Sequence, residues 1–304
     1  MNAFQAAGSG GRSRSSSRGA RAREEAEAPD PAGPGPPRVE WRPRRKARGG
    51  KPASAQGYLL VEGCPLEAEL VRTGRGAAAA VILHPYPWLG GCMYDHVCDA
   101  VFQQLRAHED VNTVLRYNSA GVGHSGGGFP SLLGAPECQQ LRKVCDFLCR
   151  GLEDPPERLY VVGYSWGACI GASVLDHGGV RGYVGISIPI GYIASLFLRT
   201  EKFWHLCRGS AVPKLFVHGA RDNFTSIRFL RKELEDCRGP HQLLEYGDDH
   251  FWMHSVQEVA EQVASWLGDR DGQLRKAAGG TAAAATTAGA SRRGNQTMWG
   301  AMPS

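Results

Sequence analysis

The residue best placed to do chemistry is Ser165, which stands at the centre of a G-x-S-x-G motif over Gly163–Gly167. An apolar run, Arg158–Gly163, precedes the motif, and a segment with helical spacing, Trp166–His177, follows it. Such a tight strand-to-helix turn leaves no room for flanking side chains and presents the central hydroxyl at its tip. The N–H groups that begin the helix favour negative charge at the same point. We predict that Ser165 is a nucleophile; the alternative is a serine that only caps the helix.

A serine nucleophile requires a base, and the base requires an acid that orients it. When the three residues follow one another along the chain as serine, acid and histidine, the acid and the histidine are expected at the ends of later strands. Asp222 follows the apolar run Lys214–Gly219, and His250 lies between the short run Gln242–Tyr246 and the last helical segment. We predict Asp222 as the acid and His250 as the base. The alternatives are a helix cap at Asp222, an ordinary loop histidine at 250, and Asp249 as a competing acid.

Stabilisation of an oxyanion requires two backbone N–H donors. The first predicted donor is Trp166, directly after the nucleophile, and the second is expected in the loop that follows the apolar run Ala77–His84. In this loop Pro85 and Pro87 carry no N–H, so Tyr86 is the predicted second donor. The alternative is an ordinary rigid proline turn in which Tyr86 packs as an aromatic side chain.

Five motifs between residues 57 and 270 occur in the order HPYPWLGG, LRYNSAGVGHSGG, VVGYSWGA, VHGARD and GDDHFW. With them the chain resembles the α/β-hydrolase superfamily, and within it a small, poorly characterised group similar to dienelactone-hydrolase and serine-aminopeptidase-like hydrolases. The resemblance implies a triad of Ser165, Asp222 and His250. Two positions depart from the pattern of the group: Tyr86 stands where its loop motif has a second histidine, and Ala120 where an arginine usually precedes the G-x-G turn.

The elements around these residues alternate between apolar runs and helical segments, which predicts an α/β fold with a mostly parallel sheet and helices on both faces. The resemblance implies that this is the α/β-hydrolase fold, and the short connections predict no large cap domain. The predicted strands lie at 57–63, 66–71, 77–84, 111–118, 158–163, 180–188, 214–219 and 242–246, and the predicted helices at 95–108, 136–152, 166–177, 226–237 and 255–267.

Only about 25 residues separate the strands Val180–Ile188 and Lys214–Gly219, where related lipases insert a lid. A short helix is expected in this segment, either as a roof over the site or as a core-facing connection. Its large apolar side chains are Ile193, Leu196, Phe197, Leu198, Phe203 and Trp204.

A second function class is suggested by Gly121–Gly126, a G-x-G-x-x-G that follows the strand Val111–Asn118. A dinucleotide-binding turn requires its last glycine to open a helix, but Gly127, Gly128 and Pro130 follow here. We interpret the segment as a flexible turn and keep the dinucleotide-binding oxidoreductase as an alternative.

The predicted function is a serine hydrolase that cleaves carboxylic esters and acts on a small-molecule acyl substrate. An ester is favoured over an amide, because the sequence shows no device for expelling a poor amine leaving group. A thioesterase or peptidase-type hydrolase and a non-catalytic binding protein of the same fold are the remaining alternatives. No metal or organic cofactor is implied.

The 304 residues carry a formal net charge of +5 that is unevenly distributed. Residues 1–56 contain 12 Lys/Arg and 5 Asp/Glu, and residues 271–304 contain 4 and 1, which leaves 19 and 24 for residues 57–270. Because this central part is mildly acidic, a nucleic-acid-binding core is disfavoured. No apolar run reaches the ~18 residues of a membrane-spanning helix, so no transmembrane segment is expected.

Composition divides the chain into three regions. These are a disordered basic segment at residues 1–56, a single α/β-hydrolase domain at 57–270 and a disordered low-complexity tail at 271–304. The first segment is rich in Arg and Ser, and a plastid or mitochondrial transit peptide is an alternative to a plain tail. The 9 Cys, scattered and without a secretory leader, predict free thiols in a reducing, cytoplasmic compartment.

Overall fold

The computed structural model describes residues 39–43 and 55–291, with side chains described through residue 274. Most of the segment 1–56 and the end of the tail 271–304, which we predicted to be disordered, therefore lie outside the described residues. The strands are β1 (Val39–Pro43), β2 (Ala55–Val61), β3 (Cys64–Arg72), β4 (Ala78–Leu83), β5 (Val111–Tyr117), β6 (Arg158–Tyr164), β7 (Val180–Ile186), β8 (Lys214–Gly219) and β9 (His241–Tyr246). The α-helices are α1 (His96–Ala107), α2 (Ala135–Arg150), α3 (Trp166–Ala172), α4 (Tyr192–Leu198), α5 (Glu201–Gly209), α6 (Ile227–Glu235) and α7 (Val256–Ser291).

The strands form one sheet in the order β1-β2-β3-β5-β4-β6-β7-β8-β9. The pairs from β1 to β5 are antiparallel, and all later neighbours are parallel, which confirms the predicted α/β fold with a mostly parallel sheet. In the register, Leu83 at the end of β4 is opposite Gly163 of β6, and Gly219 at the end of β8 is opposite Tyr246 of β9. Because parallel strands end at one edge, the loops that follow them meet there.

Helices cover both faces of the sheet, as the continuous apolar run of β4 predicts. All six residues of β4 are buried. Alternate residues belong to two separate apolar clusters, with Ala79, Val81 and Leu83 in one and Ala78, Ala80 and Ile82 in the other. The first cluster includes side chains of α2, α3, α5 and α6, and the second includes side chains of α1 and α7.

The structure extends the sheet beyond the start of the predicted domain, because Val39–Pro43 pairs with β2 as an edge strand. Val39 and Trp41 alternate along this strand and pack, partly buried, against the core. Five residues among prolines and arginines carry too little periodicity to predict a strand from sequence. At the other end, α7 continues past residue 270, and the buried Asp271 accepts a hydrogen bond of 3.2 Å from Arg158 in β6.

The segment between β7 and β8 forms two helices where one was expected. In α5, Phe203 and Trp204 are buried, so this helix is the core-facing connection. In α4 only Ala194 is buried, while Ile193 and Phe197 are 64% and 70% exposed. No large cap domain is inserted within the described part of the chain, and none of its helices combines the length and apolarity needed to cross a bilayer.

Candidate active site

Ser165 occupies the turn between β6 and α3 with backbone angles of φ 51° and ψ −119°. Non-glycine residues rarely adopt a positive φ, and such strain is typical of functional sites. A Cβ at Gly163 would overlap the carbonyl oxygen of Gly167, and a Cβ at Gly167 would overlap that of Leu83. Both glycines of the motif are thus required by close backbone packing. The Ser165 side chain does not cap α3, so the alternative role as a helix cap is not realised.

The structure brings Ser165, His250 and Asp222 together at the carboxyl edge of the sheet. His250 Nε2 lies 2.9 Å from Ser165 Oγ, and His250 Nδ1 lies 2.8 Å from Asp222 Oδ2. Since an ionised carboxylate only accepts, Nδ1 carries the proton and the Nε2 lone pair accepts from the serine hydroxyl. The three residues are buried, with exposed fractions of 8%, 5% and 5%. The arrangement can therefore carry a proton from the hydroxyl to the imidazole.

Asp222 is held as a carboxylate by hydrogen bonds to both oxygens. Besides the bond to His250, its Oδ1 accepts from the backbone N–H groups of Phe224 at 2.8 Å and Thr225 at 3.1 Å. Burial opposes ionisation, but the hydrogen bond and the charge interaction with His250 outweigh it, so the pKa of Asp222 lies below its ordinary value. Ser226, and not Asp222, caps α6.

The competing acid, Asp249, does not take the place of Asp222. Its side chain accepts a hydrogen bond of 2.8 Å from a backbone N–H two residues later, and none of the hydrogen bonds among the described residues joins it to the His250 imidazole. The preceding Asp248 accepts from the backbone N–H groups of His254 at 3.0 Å and Ser255 at 2.9 Å. The two neighbouring carboxylates thus fix the loop that carries His250 to the start of α7.

Sequence analysis did not identify a second buried histidine, His218, as part of this site. Its Nε2 lies 3.8 Å from Asp222 Oδ2 and donates a hydrogen bond of 2.7 Å to the carbonyl of Thr225. Burial lowers the pKa of His218, so its ring is neutral near pH 7. A histidine directly after the apolar residues 215–217 of β8 was the sequence signal for such a supporting residue.

The two predicted oxyanion donors border the same cavity as Ser165. No hydrogen-bond partner for the backbone N–H of Trp166 or Tyr86 occurs among the described residues, so both donors are available to a ligand. The rings of Tyr86 and Trp166 pack edge to face with centroids 5.3 Å apart. The side chain of Tyr86 is therefore packed, as the alternative interpretation expected. Its backbone N–H is nevertheless at the cavity wall, where a donor is required.

His84 supports the loop that carries Tyr86, and sequence analysis assigned it no role. Its Nδ1 lies 2.8 Å from the carbonyl oxygen of Pro85, which only accepts, so Nδ1 carries the proton. Its Nε2 then accepts from the backbone N–H of Ser119 at 3.2 Å and from the Ser119 hydroxyl at 3.0 Å. Burial lowers the pKa of His84, which favours this neutral form.

The cavity in front of Ser165, which we call the inner cavity, has a volume of about 170 Å³. Its wall is mainly apolar and aromatic and includes Tyr86, Leu89, Trp166, Leu198, Phe224 and Phe251. The ring of Phe224 also packs against His250, with centroids 4.3 Å apart. A small, uncharged group is the ligand that such a wall accommodates best.

The G-x-G-x-x-G segment does not have the geometry of a dinucleotide-binding turn. After Gly126 the chain runs through turns and bends, and the next helix, α2, begins only at Ala135. Within the described residues, no three His, Cys, Asp or Glu side chains are placed to hold a metal ion. All nine cysteines belong to this part of the chain and are free thiols, as predicted.

No protein-family model matches the sequence, and no curated protein matches it. The fold is nevertheless similar to that of solved α/β hydrolases. An α/β serine hydrolase homologue from Coxiella burnetii is 25% identical, with a TM-score of 0.57 over 67% of this chain and 92% of that one. Est1E from Butyrivibrio proteoclasticus, solved with ferulic acid bound, is 18% identical, with a TM-score of 0.59 over 69% and 96%.

A third structure, an α/β serine hydrolase without lid from Xanthomonas campestris, is 21% identical, with a TM-score of 0.53 over 70% of this chain and 89% of that one. Its lack of a lid parallels the short connection between β7 and β8 in this chain. The sheet order, the strained serine turn and these similarities lead to one conclusion: the chain is a member of the α/β-hydrolase superfamily.

Proposed function

We propose that this protein is a serine hydrolase that cleaves carboxylic esters through an acyl-enzyme. One observation carries the proposal: Ser165, His250 and Asp222 form a continuous hydrogen-bonded chain with distances of 2.9 Å and 2.8 Å. This is the arrangement that an activated serine requires, with a base on the nucleophile and an acid on the base. The esterase and serine hydrolase neighbours support a hydrolase of this kind.

In the first step, His250 Nε2 removes the proton from Ser165 Oγ while Oγ forms a bond to the ester carbonyl carbon. The resulting oxyanion accepts hydrogen bonds from the backbone N–H groups of Trp166 and Tyr86. The C–O bond to the alcohol then breaks, and His250 donates its proton to the departing oxygen. This step leaves an acyl group on Ser165 and releases the alcohol.

In the second step, a water molecule attacks the acyl carbon and His250 takes one of its protons. The bond between the acyl carbon and Ser165 Oγ breaks, and the proton returns from His250 to the serine. Asp222 remains ionised throughout and stabilises the imidazolium that forms in each step. Its lowered pKa suits this role, because it stays negatively charged at the pH at which the histidine works.

An ester is the substrate class that the site fits best. The inner cavity is small and mainly apolar, and its wall includes the carboxyl of Asp95 and the imidazole of His250. An alkoxide leaves more readily than an amine, so an ester requires less assistance to its leaving group than an amide does. Activity measurements must therefore compare esters with thioesters and amides.

A fluorophosphonate probe tests the proposal directly, because it forms a P–O bond only with an activated serine and releases fluoride. We expect labelling of the wild-type protein and hydrolysis of p-nitrophenyl acetate, both abolished in Ser165→Ala. Labelling that persists in Ser165→Ala would reject this nucleophile. A folded wild-type protein that neither labels nor hydrolyses ester, thioester or amide substrates would favour a non-catalytic binding protein.

A further inference from the structure

A second cavity, larger than the inner one, does not include Ser165 in its wall. This outer cavity has a volume of about 650 Å³ and lies between α4, α5, α6 and the residues that follow Asp222. Sites for drug-sized ligands usually occupy roughly 300–1,000 Å³. The inner cavity, at about 170 Å³, is below that range, and the outer cavity is within it. The inner cavity alone therefore accommodates only a small acyl or alcohol group.

The two cavities meet at Phe224, which lines both of them. This residue is tied to the triad, because its backbone N–H donates to Asp222 and its ring packs against His250. The next residue, Thr225, holds the opposite wall: its hydroxyl oxygen accepts from the N–H groups of Ile190 at 2.8 Å and Gly191 at 3.0 Å. Phe224 is thus the residue that the two cavity walls share, and its backbone is well anchored.

The wall of the outer cavity is chemically suited to an apolar ligand. Its large apolar and aromatic side chains are Ile190, Tyr192, Ile193, Trp204, Phe224 and Phe229. Tyr192 and Ile193 also belong to the exposed apolar surface of α4, at 82% and 64% exposure. Exposed apolar side chains that continue into a cavity are typical of a binding site for an apolar group.

The charged groups on this wall are paired with other protein groups. Glu233 accepts a hydrogen bond of 2.6 Å from Trp204 Nε1 and lies 3.6 Å from the Arg208 guanidinium. Glu201 lies 3.3 Å from the imidazole of His205. Because Glu233 already has partners and water screens the charge of the largely exposed Glu201, the wall favours a neutral ligand over an anion or a cation.

From the volumes, the shared Phe224 and the neutral wall we infer that the outer cavity binds the apolar chain of a neutral ester whose carbonyl lies at Ser165. The inference rests on the proposed esterase function and narrows it to esters with a chain longer than the inner cavity holds. The chain extends from the inner cavity past the Phe224 ring, while the small part of the ester stays beside Tyr86 and Trp166.

Two substitutions on the exposed side of α4 provide a matched test. Ile193 lines the outer cavity, and Leu196, which is similarly exposed at 62%, does not. Ile193→Trp fills the cavity, and Leu196→Trp adds the same bulk to the same helix outside it. The kcat/KM of both variants and of the wild type is measured with p-nitrophenyl esters from acetate to dodecanoate.

In the wild type we expect kcat/KM to rise with chain length beyond butyrate. Ile193→Trp should lower kcat/KM for the dodecanoate at least about tenfold, since several buried methylene groups lose their contacts. The same variant should lower acetate hydrolysis much less than dodecanoate hydrolysis, and Leu196→Trp should match the wild type with both esters. Equal effects of the two variants, or no preference for long chains, would overturn the inference while leaving the esterase proposal intact.

Binding of 1-decanol, measured by calorimetry, examines the cavity without turnover. Wild-type protein and Leu196→Trp should bind it with similar affinity, and Ile193→Trp at least about tenfold more weakly. Absence of acetate hydrolysis with this binding pattern would reject the esterase proposal alone. Equal decanol affinity in all three proteins would reject the outer cavity as the chain site, whatever the activity.

Discussion

The imidazole of His84 donates a hydrogen bond of 2.8 Å to the carbonyl oxygen of Pro85. This carbonyl and the N–H of Tyr86 are the two ends of one planar peptide unit. The histidine therefore fixes the direction in which the proposed oxyanion donor points. In the next peptide unit, the Tyr86 carbonyl accepts from the N–H groups of Leu89 and Gly91, both at 3.1 Å. The donor is thus held from both directions before any substrate binds.

Replacing His84 by Leu should lower kcat while leaving KM nearly unchanged, because the role that we propose for the Tyr86 N–H is to stabilise the transition state more than the bound substrate. Loss of a complete oxyanion donor costs about 10²–10³-fold in kcat, and a donor that is only misaligned should cost roughly 10- to 100-fold. Steady-state kinetics with p-nitrophenyl acetate measures the effects on kcat and KM separately. Ser119→Ala is the milder control, because the Ser119 N–H remains to hold Nε2. A rise in KM with unchanged kcat would contradict the positioning role of His84.

Replacing Asp222 by Asn should lower kcat by about 10⁴-fold, since the amide stabilises the wrong tautomer of His250. Asp249→Asn is the matched control, because Asp249 is the next carboxylate along the chain and contacts a backbone N–H instead of the imidazole. Ester hydrolysis by both variants at one pH is the measurement. A large loss of kcat in Asp249→Asn with little loss in Asp222→Asn would show that Asp249, and not Asp222, is the acid that orients His250.

Asp248 should stabilise the fold in a pH-dependent manner. Burial opposes its ionisation, but hydrogen bonds from the backbone N–H groups of His254, Asp249 and Ser255 outweigh burial, so the pKa of Asp248 is lowered. A depressed pKa in the folded state contributes stability above the unfolded-state pKa of about 3.9, and this is lost as the pH falls through the lower folded value.

The corresponding experiment compares urea unfolding of the wild type and Asp248→Asn at pH 7 and pH 3. At pH 7 the variant should be less stable by about 1–2 kcal/mol, the usual effect of losing hydrogen bonds to a charged cap. At pH 3 the difference should become smaller, because this pH lies below the unfolded-state pKa of about 3.9 and part of the stability from the ionised carboxylate is lost there. A constant difference at both pH values would show that charge at Asp248 does not contribute.

The turn that carries Ser165 should not tolerate a side chain at Gly163. A Cβ there overlaps backbone atoms of Gly167 and Ala168, which cannot move without displacing α3. Gly163→Ala should therefore destabilise the protein by more than about 2 kcal/mol and abolish ester hydrolysis. Gly178→Ala is the control, because its Cβ meets no atom within 4 Å. Thermal unfolding measures the stability of both variants. A Gly163→Ala protein as stable as Gly178→Ala would contradict the packing argument.

Local pattern was sufficient to predict most of the elements of this chain. Parallel strands buried on both faces appear in the sequence as continuous apolar runs, so β4, β6 and β8 were identified close to their observed bounds. The edge strand β1 was missed, because it is short and its contribution comes from pairing with β2 instead of from its own apolar content. Its two packed residues, Val39 and Trp41, are too few to predict a strand when the pairing with β2 is not known.

The sequence alone determined which residue types could act together, since the G-x-S-x-G turn and the strand ends carry their own local signals. Tertiary structure decided which of them meet. Sequence analysis predicted Asp222 as the acid with Asp249 as a competitor, and the fold shows that Asp222 is the carboxylate that contacts the His250 ring. The support of the Tyr86 peptide by His84, and the two cavities separated by Phe224, likewise arise from segments distant in sequence. Hydrogen bonds and packing act over a few ångströms in space, and a linear pattern contains those distances only within a single helix, strand or turn.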